Sequence, residues 1–386
     1  MRKTGRSANI ELLRIVAMLM IIMYHIICHC VNVQLTDGAS IARWGNGLFN
    51  HPLFYKRLWL LAAIMPFGLI GNALFILISG YFMVQKGKSI DLVRISRKLL
   101  MQLGFAAVGL LFATSLVYQL SVSNEKGYVS LIDANYFNNA AWFAGYYFTV
   151  VVIGKLLLNN ILLQFTKSQY KEFLIVLFTL TQFIWPGGLM DGLAGGLRTS
   201  IFGMFLYALG GYIKLYDPFV RVRSVSLLLG LLVIEIIEYI SYYNITSQNI
   251  ENYYKNGGGQ GDFIQSIPTF DNFHVLIVLA GVIVFEIFKR CPVPSCETVN
   301  SIGSATFMVY LIHDNEFFYS VWDKQDWISL LNKSVLEFSG KLIGYTVATF
   351  FIGCIAYIAY LMLLKLMKMC KSIFIKCEDV QTGIKC

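Results

Sequence analysis

Four ionisable side chains interrupt one apolar stretch of this sequence: Glu11, Arg14, His25 and His29 within ELLRIVAMLMIIMYHIICH, residues 11–29. At membrane depth each such group costs a few kcal/mol, so groups placed there usually mark function. On a helix turning 100° per residue, the eleven steps from Arg14 to His25 bring the two within about 20° of one face. Glu11 falls one turn before Arg14 and His29 one turn after His25, completing a polar seam that must face protein or water. At a 1.5 Å rise, His25 lies roughly 16 Å beyond Arg14 along the axis. An imidazole suits proton transfer near neutral pH, and a guanidinium neutralised by Glu11 suits a polar or anionic reactant. The seam fits a reaction whose two reactants arrive from opposite sides. A packed polar histidine is the plainer alternative. His25 and His29 at i, i+4 lack the intervening glutamate of the zinc-protease pattern, so no metal is expected.

The elements that position this seam are membrane helices. Hydrophobic residues make up 57% of the 386 and charged residues 14%, with a mean hydropathy of +0.63; soluble chains carry roughly 25% charged residues. Apolar runs lie near 9–31, 58–83, 98–120, 141–165, 172–185, 197–216, 224–243, 270–288, 299–320 and 342–367. A span needs about 20 apolar residues. The expectation is therefore an all-α integral membrane protein of about ten transmembrane helices with cytoplasmic N- and C-termini. Residues 1–386 form one membrane domain, with a short basic segment at 1–8 and a cytoplasmic tail from about 368 to 386. The fifth run is short and ends at WPGG, which suggests an irregular or re-entrant element. Glu11 and Arg14 also argue against reading the start as a cleaved signal peptide.

Charge placement agrees with that topology. Twenty lysines and arginines fall in the loops and termini assigned to the inside, against eight outside, as the positive-inside rule requires. The net charge of +9 is thus a topology signal, and no nucleic-acid partner is expected. All six tryptophans (Trp44, Trp59, Trp142, Trp185, Trp322, Trp327) lie in or beside outside loops. An interfacial belt explains most of them, and a one-sided set also leaves rings for stacking on an external ligand such as a sugar. The eight cysteines show neither a disulfide framework nor zinc spacing. Glu235 and Glu238, one turn apart, are expected to form a structural ion pair with Lys155. Asp271 and His274 are expected at the interface.

With those residues in hand, the chain resembles the acyltransferase 3 family of bacterial multi-pass membrane proteins, in its stand-alone form without a soluble hydrolase-like domain. Arg14, ten residues, then His25 resembles the family's first-helix signature, with Glu11 where the family usually has an acid. FILISGY (Phe75 to Tyr81, containing Ser79 and Gly80) resembles its segment at the inner end of the second helix. RISR (Arg94, Arg97) resembles its RxxR pair. Trp142-Phe143 resembles its outer WF/WY, although NNAA stands before it where the family often has His-Leu. SATFMVYLIH (Ser304 to His313) resembles its late helix. The matches keep the family's order across nearly the whole chain.

The resemblance implies transfer of an acyl group, usually acetyl, from cytosolic acyl-CoA to a hydroxyl of an extracytoplasmic glycan at a bacterial plasma membrane. It implies His25 as general base or acyl-carrying nucleophile, with Arg14 and Glu11 positioning the thioester. Arg94 and Arg97, with Ser79, Gly80 and Tyr81, are implied on the acyl-CoA side. Trp142, Phe143, Arg198 and His313 are expected toward the acceptor, with His313 either contacting it or assisting the base and Arg198 equally readable as a snorkelling anchor. Partners implied are the envelope glycan, acyl-CoA, the bilayer and polysaccharide assembly machinery. The rival readings are a glycan transporter, which needs no histidine aligned with Arg14, and a glycan polymerase, whose key residues belong in large outside loops.

Overall fold

A computed structural model of the chain describes residues 7–36, 57, 60–120, 142–182, 191–256, 272–294 and 296–381. Among these residues the fold is helical throughout. Helix α1 (Ala8–Ile26) runs on through a π-helical turn, Ile27–Val31, to Thr36. It is followed by α2 (Pro66–Met83) and α3 (Leu92–Leu120). Helix α4 (Trp142–Ile153) continues through a second π turn, Gly154–Leu158, to Leu162. Then come α5 (Lys167–Gln182), α6 (Asp191–Tyr216), α7 (Ser224–Asn256) and α8 (Val275–Arg290). The chain closes with α9 (Glu297–His313), the short α10 (Glu316–Trp322) and α11 (Trp327–Lys333), and α12 (Val335–Gln381).

Each of the ten apolar runs thus holds a helix. Among the described residues six spans are long and apolar enough to cross a membrane: Ala8–Leu35, Leu60–Lys86, Leu92–Ser115, Trp142–Leu162, Ser224–Ser241 and Val335–Cys370. The remaining helices are shorter or more polar; α5, α8 and α9 have 16, 16 and 17 residues, about 25 Å of helix against a hydrocarbon core of about 30 Å. The outer surface reads as lipid-facing. Helices α7 and α12 expose Leu228, Leu232, Ile236, Phe351, Ile355 and Ile358, a side-chain chemistry that water does not favour over this length.

Helix α1 is the hub. It packs against α2, α8, α9 and α12, and Leu13, Met18, Ile21, Ile22 and Ile26 are fully buried on it. The end of the bundle where α1 begins is called proximal below, the other end distal. Close helix approach uses glycine where a side chain would collide. A Cβ on Gly80 would stand 1.9 Å from the Tyr207 carbonyl oxygen, and one on Gly210 would stand 2.1 Å from that of Leu77, where α2 crosses α6.

Several expectations are corrected. The run 299–320 is not one helix: α9 stops at His313, and Asn315 starts α10 by accepting from the Phe317 and Phe318 N–H groups at 3.0 and 3.3 Å. The expected tail from 368 continues α12 as far as Gln381. Helix α7 carries on past 243 to Asn256. Trp322 and Trp327 are fully buried rather than interfacial, their ring N–H groups donating to Thr349 Oγ1 at 3.2 Å and the Trp322 carbonyl at 2.9 Å. Lys155 does not pair with Glu235 or Glu238; it donates to the Ile90 carbonyl, and neither carboxyl oxygen of Glu238 has a hydrogen-bond partner among the described residues. His274 caps α8, accepting from the Leu276 N–H. WPGG, Asp271, Trp44, Trp59 and Trp185 lie outside the described residues.

Candidate active site

The predicted seam exists, and α1 presents it inward. At its proximal end Arg14 Nη1 donates to Glu11 Oε1 at 2.9 Å, with the Glu11 side chain 6% exposed. The other Glu11 oxygen is wedged against Gly303 of α9, where a Cβ would come within 2.3 Å of it. The carboxylate is therefore held from two helices, and it fixes the guanidinium.

At the distal end three helices converge on His25. The ring of His313, fully buried, stacks on the His25 ring at 5.0 Å with an 11° interplanar angle. His313 Nδ1 lies 3.1 Å from the Val309 carbonyl and 2.9 Å from that of Tyr310. The Tyr310 carbonyl is one of the four at the end of α9 that lack an intrahelical partner, so the helix stop at His313 is what makes it available. Carbonyl oxygens only accept; Nδ1 of His313 therefore carries a proton, and Nε2 of that neutral ring has a lone pair. His25 Nδ1 stands 2.9 Å from this Nε2 and, with both rings neutral, donates to it. By elimination the lone pair of His25 is on Nε2. Asp314, at the turn that follows α9, places Oδ1 3.5 Å from His25 Nδ1 and accepts from the Tyr319 hydroxyl.

His29 was read as one turn past His25 on an unbroken α-helix. The π turn at Ile27–Val31 alters that register, a local widening often found at functional sites. His29 stacks on Tyr319 at 4.2 Å and meets the His25 ring edge-on at 5.4 Å. His25, His29 and Asp314 bring potential metal-ligating atoms within 4.8 Å of one another. Ligands of a tetrahedral zinc stand about 3.3 Å apart. Among the described residues this is the group whose ligand atoms lie close enough to hold an ion.

A cavity of about 230 Å³ runs from Arg14 toward the distal end of the seam, and its lining stops at Ile21 and Tyr310, short of His25 and His313. Arg14, Lys98 and Met83 line its proximal part; Ile21, Phe143 and Tyr310 line its distal part, one helical turn from His25 and His313. Ser79 and Tyr147 face each other across hydroxyls 3.2 Å apart in its wall. Gln102 of α3 also lines it, fully buried, and neither its amide nitrogen nor its amide oxygen has a hydrogen-bond partner among the described residues. A buried polar group left so costs on the order of 1–3 kcal/mol.

Of the residues singled out in the sequence, Arg14, Ser79 and Phe143 line this cavity, Glu11 holds Arg14, and His25 and His313 meet each other one turn beyond its distal lining. Phe143, predicted toward the acceptor, is buried, and its backbone N–H donates to the Tyr310 hydroxyl at 3.2 Å. Gly80 and Tyr81 are not in the cavity wall. Gly80 belongs to the α2–α6 crossing, and Tyr81 packs on Phe285 at 5.2 Å with the Lys214 ammonium 4.8 Å from its ring. Arg94 and Arg97 are exposed at the start of α3; the cavity-lining cation of that segment is Lys98. Trp142 is 46% exposed at the start of α4 and lines a separate distal cavity of about 80 Å³ with Asn72, Thr199, Asn272 and Phe273. Arg198 borders that second cavity, its guanidinium 4.0 Å from the Phe273 ring centre and donating to the Thr181 carbonyl at 2.7 Å. Asp314, Tyr319, Tyr147 and Gln102 escaped the sequence reading. Asp314 had a signal, an acid adjoining a candidate histidine, and so had Gln102, a lone amide in an apolar run.

A membrane-embedded bundle holding a histidine pair near a cavity is the kind of site that activates a hydroxyl for group transfer. Residues 7–361 match the family model of an acyltransferase domain, that of the acyltransferase 3 family, and the chain belongs to that family. No curated protein and no solved structure matches the chain.

Proposed function

We propose that this membrane acyltransferase moves an acyl group, acetyl in the first instance, from cytosolic acyl-CoA to a hydroxyl of an envelope glycan across a bacterial plasma membrane. The observation that carries the reading is the relay from the Tyr310 carbonyl through His313 to His25, which stands one helical turn beyond the lining of a cavity that Arg14 shares.

In this reading the proximal end is cytosolic, as the basic loops require, and all ten helical runs cross or enter the bilayer. The thioester reaches the cavity past Lys98 and Arg14. Arg94 and Arg97, exposed one turn before and one residue before Lys98, meet the nucleotide phosphates, for which forked guanidinium donors are well suited. The acceptor hydroxyl arrives from the distal side, where Trp142 and Arg198 flank the smaller cavity. His25 Nε2 takes the hydroxyl proton as the oxygen attacks the thioester carbonyl. Asp314 and the His313 lone pair stabilise the imidazolium that forms, the role an orienting acid plays beside a catalytic histidine. The tetrahedral adduct collapses, the carbon–sulfur bond breaks, and the thiolate recovers the proton from His25. An ester and a free thiol result, with no net proton change.

The test compares surface glycan from cells lacking the protein with glycan from complemented cells by proton NMR. Acetyl methyl signals are expected to disappear and return. Unchanged acetyl content in the deleted strain overturns the reading.

A further inference from the structure

We propose that Gln102 recognises the carrier of the acyl group, pairing through its side-chain amide with the first amide of a pantetheine arm. The inference rests on the reading of the donor as acyl-CoA and adds to it the residue that selects an amide-bearing thioester over any other.

Three observations converge. Gln102 is fully buried in the cavity wall, yet both its donor and its acceptor lack a partner. An amide is the natural complement, since it offers one acceptor and one donor to a group that needs both. The second observation is length. From phosphorus to sulfur the pantetheine arm has about thirteen bonds, or about four residues' worth of extended chain, roughly 15 Å. Arg14 and His25 are about 16 Å apart along α1. An arm whose phosphate end is held at Arg14 and Lys98 therefore delivers its sulfur to the level of His25. The third observation is depth. Gln102 lies one turn further in than Lys98 on the same face of α3, about 6 Å along the axis. The first amide of the arm begins about five bonds from the phosphorus, at that same depth by the same scale. A glycan has no such spacing.

The relation between stability and binding supplies a check besides turnover. A buried amide kept without partners in the empty protein is a strain on the fold that an apolar side chain of like shape removes. Gln102→Leu is expected to keep or raise the thermal stability of the detergent-solubilised protein while weakening donor binding. Gln102→Met, unbranched and nearer in shape, provides the same comparison should the leucine pack badly.

The experiment measures transfer by the full-length protein from three donors: acetyl-CoA, acetyl-pantetheine and S-butyl thioacetate, which has no amide. For Gln102→Leu the KM for the first two is expected to rise about tenfold, the worth of one buried hydrogen bond. Its kcat should stay within about twofold and its use of S-butyl thioacetate should be unchanged. An equal loss with all three donors, or no change in KM with any, overturns the assignment while leaving the reaction standing. Wild-type protein that uses none of the three thioesters is the separate signature of a wrong donor class, and removes both.

Discussion

At the proximal end of the bundle Glu286, 1% exposed, is closed on by Arg290 at 2.7 Å and Lys289 at 2.8 Å. Lys289 reaches on to Asp217 at 2.6 Å, a residue held in the left-handed region (φ 39°) where α6 ends. Arg290 also donates to the Val222 and Phe219 carbonyls, and Asn9 ties the start of α1 to the Lys289 carbonyl at 2.9 Å. At the distal end His313 and Asp314 are buried, His25 and Tyr319 are half-buried, and the four are linked as closely. Yet their hydrogen bonds run in one direction and stop at an imidazole nitrogen with a lone pair to spare. Both clusters take ionisable groups wholly or partly out of water. The proximal one is compensated on every side and fastens α1, α6 and α8 to one another. The distal one is compensated on every side but one, and an open lone pair is what a base needs.

That contrast is broken most directly by deleting the key residue of each cluster and asking which property fails. His25→Ala is expected to lower acyl transfer by about 10²–10⁴-fold, the range for losing a general base, with the protein at its normal level in the membrane. Transfer at the wild-type rate, measured at matched expression, would remove His25 from the chemistry. Glu286→Ala is expected to do the converse. It strands two cations and should destabilise the protein by about 3 kcal/mol, the lower end for breaking a buried pair because Lys289 keeps Asp217 and Arg290 keeps two carbonyls. Thermal unfolding in detergent measures it, and the fraction that remains folded should turn over at the normal rate. A loss of turnover without a loss of stability would erase the distinction between the two ends.

The sequence disclosed the two clusters unequally, for a physical reason. Helical periodicity is a local property, so the face shared by Glu11, Arg14 and His25 could be read from one stretch, and the Glu11–Arg14 pair one turn apart was legible with it. His313 lies 288 positions from His25. The resemblance placed it near the site but left open whether it touched the acceptor or served the base. In the structure His313 touches His25, and the end of α9 at His313 frees the Tyr310 carbonyl and brings Asp314 near; taking 299–320 as one run passes straight through the polar HDNE at 313–316 that marks the break. The same blindness to partners explains the misses. Gly80 sits inside a family-like segment, but its importance lies in Tyr207 on another helix. Lys155 looked like the counter-ion of Glu238 by depth alone, and it reaches instead for a carbonyl at the start of α3. Trp322 and Trp327 were sorted with interfacial rings because composition shows the side of the membrane and not the degree of burial.

A finer division within the distal cluster sharpens the comparison further. Asp314 is near enough to His25 to stabilise a cation there, at 3.5 Å, yet it makes its shorter hydrogen bond with Tyr319. If its part is to stabilise the imidazolium, Asp314→Asn keeps an acceptor for Tyr319 and loses only the charge. It is expected to lower kcat by about 10–100-fold, well short of the His25→Ala effect, because the relay through His313 still orients the ring. The KM for acyl-CoA should hold, since the residue lies beyond the cavity that receives the donor. Tyr319→Phe separates the alternatives: it leaves the carboxylate and removes only the hydroxyl, so kcat should fall by no more than about threefold. Were Tyr319→Phe as damaging as Asp314→Asn, the acid would matter as a brace for the turn after α9, and the distal cluster would resemble the proximal staple more closely than its open nitrogen suggests.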